Sequence, residues 1–306
     1  MKYTKKGNNH KKNKTQKRIK NICSPYAKEK KTIDNSCFSN DILLELKKYY
    51  NENNRKKITS NNPKVVWRQL HSYLSDKTCN HELCWLNKLH INDHEKMKLK
   101  TLFLPIQPDE WKKDKNAWLS DEDIVNVLHQ YEYIYPTFLF FEPSPIDFDY
   151  KKDNVCVDTS VCDFNIAKYP RKKKFGFVFN LSKHNQTGTH WVALYVSVTD
   201  SFIYYFDSNG DKIPKEVKSL VERIQTQGLS QNIKFIFHQN NKIEHQRSNT
   251  ECGMYVLYFI ITMLTRKTSS GKKLTKKTVI DYFNGKLSGR IKDSVVEDLR
   301  TEYFIE

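Results

Sequence analysis

The sequence has no long apolar segment. Its 306 residues contain no run of roughly 18 apolar side chains, which excludes a transmembrane helix of ordinary length. The N-terminus is basic and polar and lacks the apolar core of a secretory signal, so we expect no secretion. A chain of this length can bury a substantial core, as one large domain or as two smaller ones.

Cysteine is infrequent and irregularly spaced. The seven cysteines are an odd number without a regular framework, which predicts free thiols in a reducing compartment. Cys79, His81, Cys84 and His90 suggest a zinc site, but no second cysteine pair follows at the usual spacing. We therefore predict core thiols and surface histidines there. No metal and no organic cofactor is predicted.

Acidic residues are too few to balance the basic ones. The chain has 35 acidic and 52 basic residues, a formal net charge of +17, and residues 1–20 carry nine Lys or Arg and no acid. Such a segment cannot bury enough apolar surface to fold alone, so we predict a disordered arm. Its functional interpretation is contact with DNA or another polyanion. A solvated tail and a sorting signal are the alternatives.

No internal repeat divides the rest of the chain. Residues 21–100 form a predicted helical N-terminal region, with apolar side chains at helical spacing in 36–53, 62–76 and 80–92. Residues 101–306 then form a predicted second domain.

The second domain mixes helical and strand patterns. A helix is predicted over 114–136 with Ser120 or Asp121 as its N-cap, and residues 142–173 are predicted to be a polar surface excursion. Further elements follow in this order: strands at 175–181, 190–198 and 202–208, a helix at 213–228, a strand at 233–239 and a buried helix at 253–265. Helices around a central sheet predict an α+β domain.

Four side chains from separate stretches can converge at one end of this sheet. His190 opens one strand and Asp207 closes the next, so a hairpin brings them within about two residues of register. Cys252 begins the buried helix, whose dipole favours a thiolate. Gln246 can donate its amide N–H to an oxyanion. The plain interpretations are a strand histidine, a turn aspartate, a core thiol and a loop amide.

Weaker candidates surround this set. His238 and His245 are weaker candidates for the general base, because neither has a strand-paired carboxylate. Asp200 and Asp211 lie at turns and are weaker candidates for the orienting carboxylate. Cys156 and Cys162 lie in the polar excursion without a histidine partner and are predicted to be non-catalytic.

The same stretches carry a family resemblance. "THWVALYV", "YYFDSNG" and "QRSNTECGMY" resemble the three catalytic blocks of the ubiquitin-like-protein-specific cysteine proteases and of the adenovirus endopeptidase, in order and in the 17-residue step from His190 to Asp207. "NAWLSDEDI" resembles an upstream block of that family, so the resemblance covers roughly 115–265. The N-terminal stretches "NSCFSNDILLELKKYYN" and "CNHELCWL" resemble the maturation proteases of nucleocytoplasmic large DNA viruses.

The resemblance implies a papain-like cysteine protease core with a central mixed sheet. It implies that His190 is the general base and acid, that Asp207 orients it, that Cys252 attacks the scissile carbonyl and that Gln246 lines the oxyanion hole.

The resemblance also implies the specificity. Trp191 and Trp118 would sandwich the small residues of a substrate, giving an endopeptidase that cleaves Gly-Gly-X or Ala-Gly-X sites. We expect it to process viral structural precursors during maturation, in the virion or in viral factories of the host cytoplasm. The alternatives are a deconjugating protease for SUMO or ubiquitin-like modifiers, and a catalytically silent module that binds glycine-tailed proteins or nucleic acid.

Overall fold

The computed structural model describes residues 22–29 and 36–305. They form two compact units: one ends at Ile106 and includes Phe304 and Ile305, and the other is Gln107–Tyr303. The basic arm predicted over residues 1–20 lies outside the described residues.

The N-terminal unit is helical. Its helices are α1 (Pro25–Glu29), α2 (Asn40–Asn53), α3 (Pro63–Leu74), α4 (Glu82–Lys88) and α5 (Asp93–Lys100). Three of them lie in the three stretches predicted from spacing. Ser39 caps α2 by accepting the Ile42 N–H, as the sequence indicates. Pro63 begins α3, where a missing N–H costs no hydrogen bond.

The prediction of free thiols is wrong for six of the seven cysteines. The structure pairs Cys23 with Cys37, Cys79 with Cys84, and Cys156 with Cys162. Their Cα–Cα distances are 5.2, 5.6 and 6.4 Å, which a disulfide can span. Loops that return a chain onto itself bring these pairs together, and irregular spacing does not reveal such returns. Cys252 remains a free thiol.

A buried carboxylate organises the core of the N-terminal unit. Glu82 is 2% exposed and accepts hydrogen bonds from the Ser36 hydroxyl (2.6 Å), the Cys37 N–H (2.7 Å) and the Trp67 indole N–H (2.6 Å). Burial raises the pKa of Glu82 to about 7, although all three donors act in the opposite direction. This carboxylate titrates near neutral pH as a result.

A five-stranded mixed sheet forms the centre of the C-terminal unit. In chain order its strands are β1 (Phe138–Pro145), β4 (Lys174–Asn180), β5 (Trp191–Ser197), β6 (Phe202–Phe206) and β7 (Ile236–Gln239), while β2 (Lys151–Lys152) and β3 (Val155–Cys156) form a separate hairpin. The order across the sheet is β1-β4-β5-β6-β7. The two outer pairs are parallel and the inner pairs are antiparallel. The predicted α+β class with a mixed sheet is confirmed.

Strand β1 was not predicted from the sequence. Its run "FLFF" follows the preceding helix after three residues, so apolar periodicity does not separate the two elements. Pairing with β4 fixes it as a strand.

Helices cover the sheet. They are α6 (Asp121–Ile134), α7 (Thr159–Cys162), α8 (Lys215–Leu229), α9 (Cys252–Thr265), α10 (Lys276–Phe283), α11 (Asp293–Asp298) and α12 (Arg300–Tyr303), with short 3-10 turns at Asp109–Lys112 and Ile166–Lys168. The first thirteen residues of α9 are all buried, as its continuous apolar sequence predicts. Helix α6 begins later than the predicted residue 114, because Ser120 and Asp123 form a capping box there. Among the described residues, no helix has the length and apolar character needed to cross a bilayer.

Candidate active site

The hairpin of β5 and β6 brings an imidazole and a carboxylate together. Ala193 and Phe206 are the last paired residues, so His190 and Asp207 lie just beyond the ends of their strands. The His190 Nε2 is 2.7 Å from Asp207 Oδ1, and Asp207 is fully buried. The contact is the one that strand order and a short hairpin turn predict.

Backbone and amide groups hold Asp207 in place. The Asn209 N–H donates to Asp207 Oδ1 at 2.8 Å. The side chain of Asn240 accepts the Asp207 N–H at 3.0 Å and donates to the Asp207 carbonyl at 2.6 Å. Asn240 is 1% exposed and lies just after β7. No sequence pattern singles out Asn240, since its role depends on the parallel pairing of β6 with β7.

Cys252 is the first residue of α9 and is 2% exposed. Its side chain is a hydrogen-bond partner of the His190 ring, whose Nε2 is held by Asp207. Burial lowers the pKa of His190, but the hydrogen bonds to Asp207 and Cys252 outweigh it and hold the pKa well above its usual value. The imidazole therefore stays protonated at neutral pH beside the sulfur.

Gln246 lies before α9 in a buried loop. Its Oε1 accepts the Ser208 hydroxyl at 2.8 Å, and its Nε2 donates to the Ser248 carbonyl at 2.6 Å. The Gln246 N–H also donates to the Ser208 carbonyl at 2.9 Å. The Ser248 carbonyl can only accept, so it fixes which end of the amide is the donor, and the Ser208 hydroxyl holds the oxygen end. Sequence reasoning missed Ser208, although it directly follows Asp207.

The weaker candidates do not join this set. Both ring nitrogens of His245 are bonded to backbone, Nδ1 to the Ile291 N–H and Nε2 to the Phe283 carbonyl, so the ring cannot serve as a base. His238 lies within β7. Asp200 binds Arg266 at 2.6 Å. Asp211 is exposed, and Cys156 and Cys162 are bonded to each other.

Two tryptophans line one cavity of about 530 Å³. Trp191 is 8% exposed and donates its indole N–H to the Leu119 carbonyl at 3.0 Å, whereas Trp118 is 43% exposed. Trp118 precedes α6, so it lies outside the helix, although the predicted span 114–136 includes it. Gly253 lets Leu119 pack closely against the start of α9, because a Cβ on residue 253 would lie only 2.9 Å from the Leu119 Cβ. Glycine after the cysteine thus lets the Trp118 segment approach α9.

A buried thiol at a helix N-terminus, bonded to an imidazole that a carboxylate orients, is the arrangement of a cysteine peptidase. Comparison with known proteins gives the same class: residues 183–299 match the Ulp1 protease family, C-terminal catalytic domain. This segment contains all four side chains that were predicted to converge. Residues 183–299 are therefore an Ulp1-type cysteine protease domain, and the predicted family resemblance and enzyme class are confirmed.

Viral proteases are among the similar proteins. A protein of Acanthamoeba polyphaga mimivirus named as a thiol protease is 29% identical over 269 residues, which are 80% of this chain and 85% of the relative. The SUMO-1 cysteine protease of African swine fever virus is 28% identical over 221 residues, 64% of this chain and 78% of the relative. The crystal structure of an African swine fever virus protease has the same fold, with a TM-score of 0.62 at 22% identity over 94% of this chain and 98% of that chain.

Proposed function

We propose that this protein is an endopeptidase that cleaves after small residues, at Gly-Gly-X or Ala-Gly-X sites. The observation that carries this proposal is the single imidazole of His190, hydrogen-bonded to Asp207 on one side and to Cys252 on the other.

The proposed mechanism begins with attack of the Cys252 sulfur on the scissile carbonyl. His190, held as an imidazolium by Asp207, gives its proton to the departing amine, and a thioester forms on Cys252. His190 then takes a proton from water, which hydrolyses the thioester. Negative charge on the carbonyl oxygen is stabilised by the Cys252 backbone N–H, one of the N–H groups that a helix start leaves without an intrahelical partner, and by the Gln246 amide.

The cavity that Trp118 and Trp191 line supports the proposed preference for small residues. The four proposed catalytic side chains do not line it, and it adjoins them through Trp191, which directly follows His190. Trp118 and Trp191 both contribute to its wall, and Leu119 fixes the Trp191 indole. A substrate side chain beside the scissile bond would collide with indole walls, whereas glycine would not. Peptides that differ only at this position, glycine against leucine, test the proposal. Equal cleavage of both would contradict it.

We further propose that the protein processes viral structural precursors during virion maturation, in the virion or in viral factories; the viral origin of its protease relatives supports a viral substrate. The test incubates the protein with candidate precursors and identifies the new N-termini by sequencing. The Cys252→Ala variant is the matched control. Cuts after Gly-Gly or Ala-Gly in the wild-type reaction alone are the expected result.

The name of the African swine fever virus relative favours a second candidate, removal of SUMO or another ubiquitin-like modifier from conjugates. Conjugates and precursors supplied at equal concentration separate the two functions by their kcat/KM. A silent binding module is the third candidate. Failure of an acyl probe to label Cys252 at neutral pH would favour it.

The basic arm supports one partner proposal, that residues 1–20 bind packaged DNA and concentrate the enzyme on its substrates. Cleavage rates with and without DNA across a salt series test it. Cleavage rates that change neither with DNA nor with salt concentration would contradict the proposal.

A further inference from the structure

A buried ion pair joins the C-terminal helix to the residue before the proposed nucleophile. Glu251 is fully buried and Arg300 is 6% exposed. Arg300 Nη2 lies 2.9 Å from both Glu251 carboxylate oxygens, and its Nε lies 3.2 Å from Oε2. Several hydrogen bonds from one guanidinium fix both the position and the orientation of the carboxylate. Glu251 is the N-cap residue of α9, and Cys252 follows it directly.

The same guanidinium reaches the segment that carries Trp118. Arg300 Nη1 donates to the Ala117 carbonyl at 3.1 Å, which also accepts the Trp111 indole N–H at 3.0 Å. The guanidinium carbon stands 4.3 Å above the centre of the Trp111 ring. Ala117 directly precedes Trp118. One side chain therefore contacts both the start of the nucleophile helix and the segment leading to the cavity wall.

We propose that Arg300 is a positioning residue that sets the spacing between the proposed nucleophile Cys252 and the substrate wall at Trp118. It acts through Glu251 on one side and through the Ala117 carbonyl on the other, and it does not touch substrate. Arg300 and Ala117 both lie outside residues 183–299, the segment that matches the family. The inference rests on the proposed peptidase function.

The chain offers a matched control at the opposite end of the same helix. Arg266 follows α9, binds Asp200 at 2.6 Å and lies 5.5 Å from the centre of the Phe202 ring. It therefore has the same kinds of partner as Arg300, a carboxylate and an aromatic face, but at the helix end remote from Cys252.

The experiment compares Arg300→Lys with Arg266→Lys in the full-length protein. Lysine keeps the charge but loses the forked hydrogen bonds. Both variants are first shown to fold by circular dichroism and thermal unfolding. Rates are then measured per mole of active enzyme, counted by titration of the Cys252 thiol, on glycine and alanine versions of one cleavable peptide.

A positioning role predicts that Arg300→Lys lowers kcat on the order of 10- to 100-fold at nearly unchanged KM, and narrows the preference for glycine over alanine. Arg266→Lys is expected to lower the melting temperature and to leave kcat and the preference unchanged. Equal kinetic effects of the two variants, or a lower melting temperature with normal kinetics in Arg300→Lys, would overturn the proposal.

A second measurement does not depend on peptide cleavage. The rate at which iodoacetamide alkylates Cys252 is followed from pH 5 to 9 by mass spectrometry of the peptide that contains it. The dependence of the Cys252 alkylation rate on pH should differ from the wild type in Arg300→Lys and should match it in Arg266→Lys. If the wild-type protein cleaves no peptide, the proposed function fails. The alkylation profile still decides the role of Arg300, and identical profiles for all three proteins would refute it.

If Arg300→Lys does not fold, Trp111→Phe replaces it. Phenylalanine keeps the aromatic face and removes one of the two donors to the Ala117 carbonyl. We expect a weaker preference for glycine over alanine with a normal alkylation profile, because only the Trp118 side is perturbed. An unchanged preference would contradict the coupling through Ala117.

Discussion

Replacing Ser208 with alanine should impair catalysis through Gln246 alone. The Ser208 hydroxyl donates to Gln246 Oε1 at 2.8 Å, and the two residues are 0% and 5% exposed. An amide can turn over and exchange its oxygen and nitrogen, and the Ser248 carbonyl, which can only accept, opposes that exchange. The Ser208 hydroxyl holds the amide oxygen, so without it the amide can swing away from the position in which we propose that it donates to the oxyanion.

The size of the effect follows from the hydrogen bond. A buried neutral hydrogen bond contributes about 1 kcal/mol, and an unsatisfied buried acceptor costs about 1–3 kcal/mol. Losing 1–2 kcal/mol of orienting free energy lowers the equilibrium ratio of held to displaced amide about 5- to 30-fold. That ratio is the upper bound, so we expect kcat of Ser208→Ala to fall by at most about 5- to 30-fold. This is less than the roughly 100- to 1,000-fold loss expected for Gln246→Ala, which removes the donor outright.

The assay is a double-mutant cycle on a cleavable Gly-Gly peptide. If Ser208 acts only by orienting Gln246, the double variant has the kcat of Gln246→Ala alone. Ser197→Ala is the matched control, because Ser197 is also buried and donates to a side-chain oxygen, Asp200 Oδ2 at 3.0 Å. It should lose stability and keep its kcat. Multiplicative losses in the Ser208 and Gln246 variants would show that Ser208 acts independently of Gln246.

Three further predictions concern single groups. Cys252→Ala should abolish cleavage and retain the fold, as circular dichroism and a peptide assay would check; surviving activity would mean another nucleophile. Asp207→Asn should shift the alkaline decline of kcat/KM to lower pH. In the wild type the imidazolium of His190 is lost only as the pH rises through a pKa that Asp207 and Cys252 raise. The contribution of protonated His190 to the free energy of unfolding is fully present below about pH 6.5 and is lost as the pH rises through the raised pKa of the folded state. Folding raises the pKa of Glu82 from 4.5 to about 7, so the folded state holds this proton more tightly than the unfolded state. The free energy of unfolding therefore falls by on the order of 3 kcal/mol as the pH rises between those two values. Urea unfolding at pH 4.5 and pH 8 should show that the free energy of unfolding changes less with pH in Glu82→Gln than in the wild type. An equal change in both proteins would contradict this.

The fold was predictable where periodicity was strong. The stretch "HWVALYVSV", the stretch "FIYYFDS" and the joint between them predict an antiparallel hairpin, and the structure pairs Ser197 with Phe202 across it. Strand β1 escaped prediction because a short apolar run beside a helix has no period of its own. Its partner β4 is parallel and lies some thirty residues away, so only packing of the sheet identifies it.

The supporting groups around the candidate site could not be predicted. Asn240, Ser208 and Arg300 are ordinary polar residues in sequence. Each acquires its partner through a contact spanning 33 residues or more. The disulfides were missed for a related reason, since seven irregularly spaced cysteines allow many pairings and the spacing favours none.

The amino-acid sequence alone predicts which reactive groups are present, their order along the chain, and a hairpin short enough to bring His190 to Asp207. Those features depend on residue type and on local period. Contacts between distant segments show which nitrogen of His190 faces Asp207, which end of the Gln246 amide donates, and which residue links α9 to the segment that carries Trp118. These are matters of orientation at the scale of a hydrogen bond, and packing between distant segments sets them.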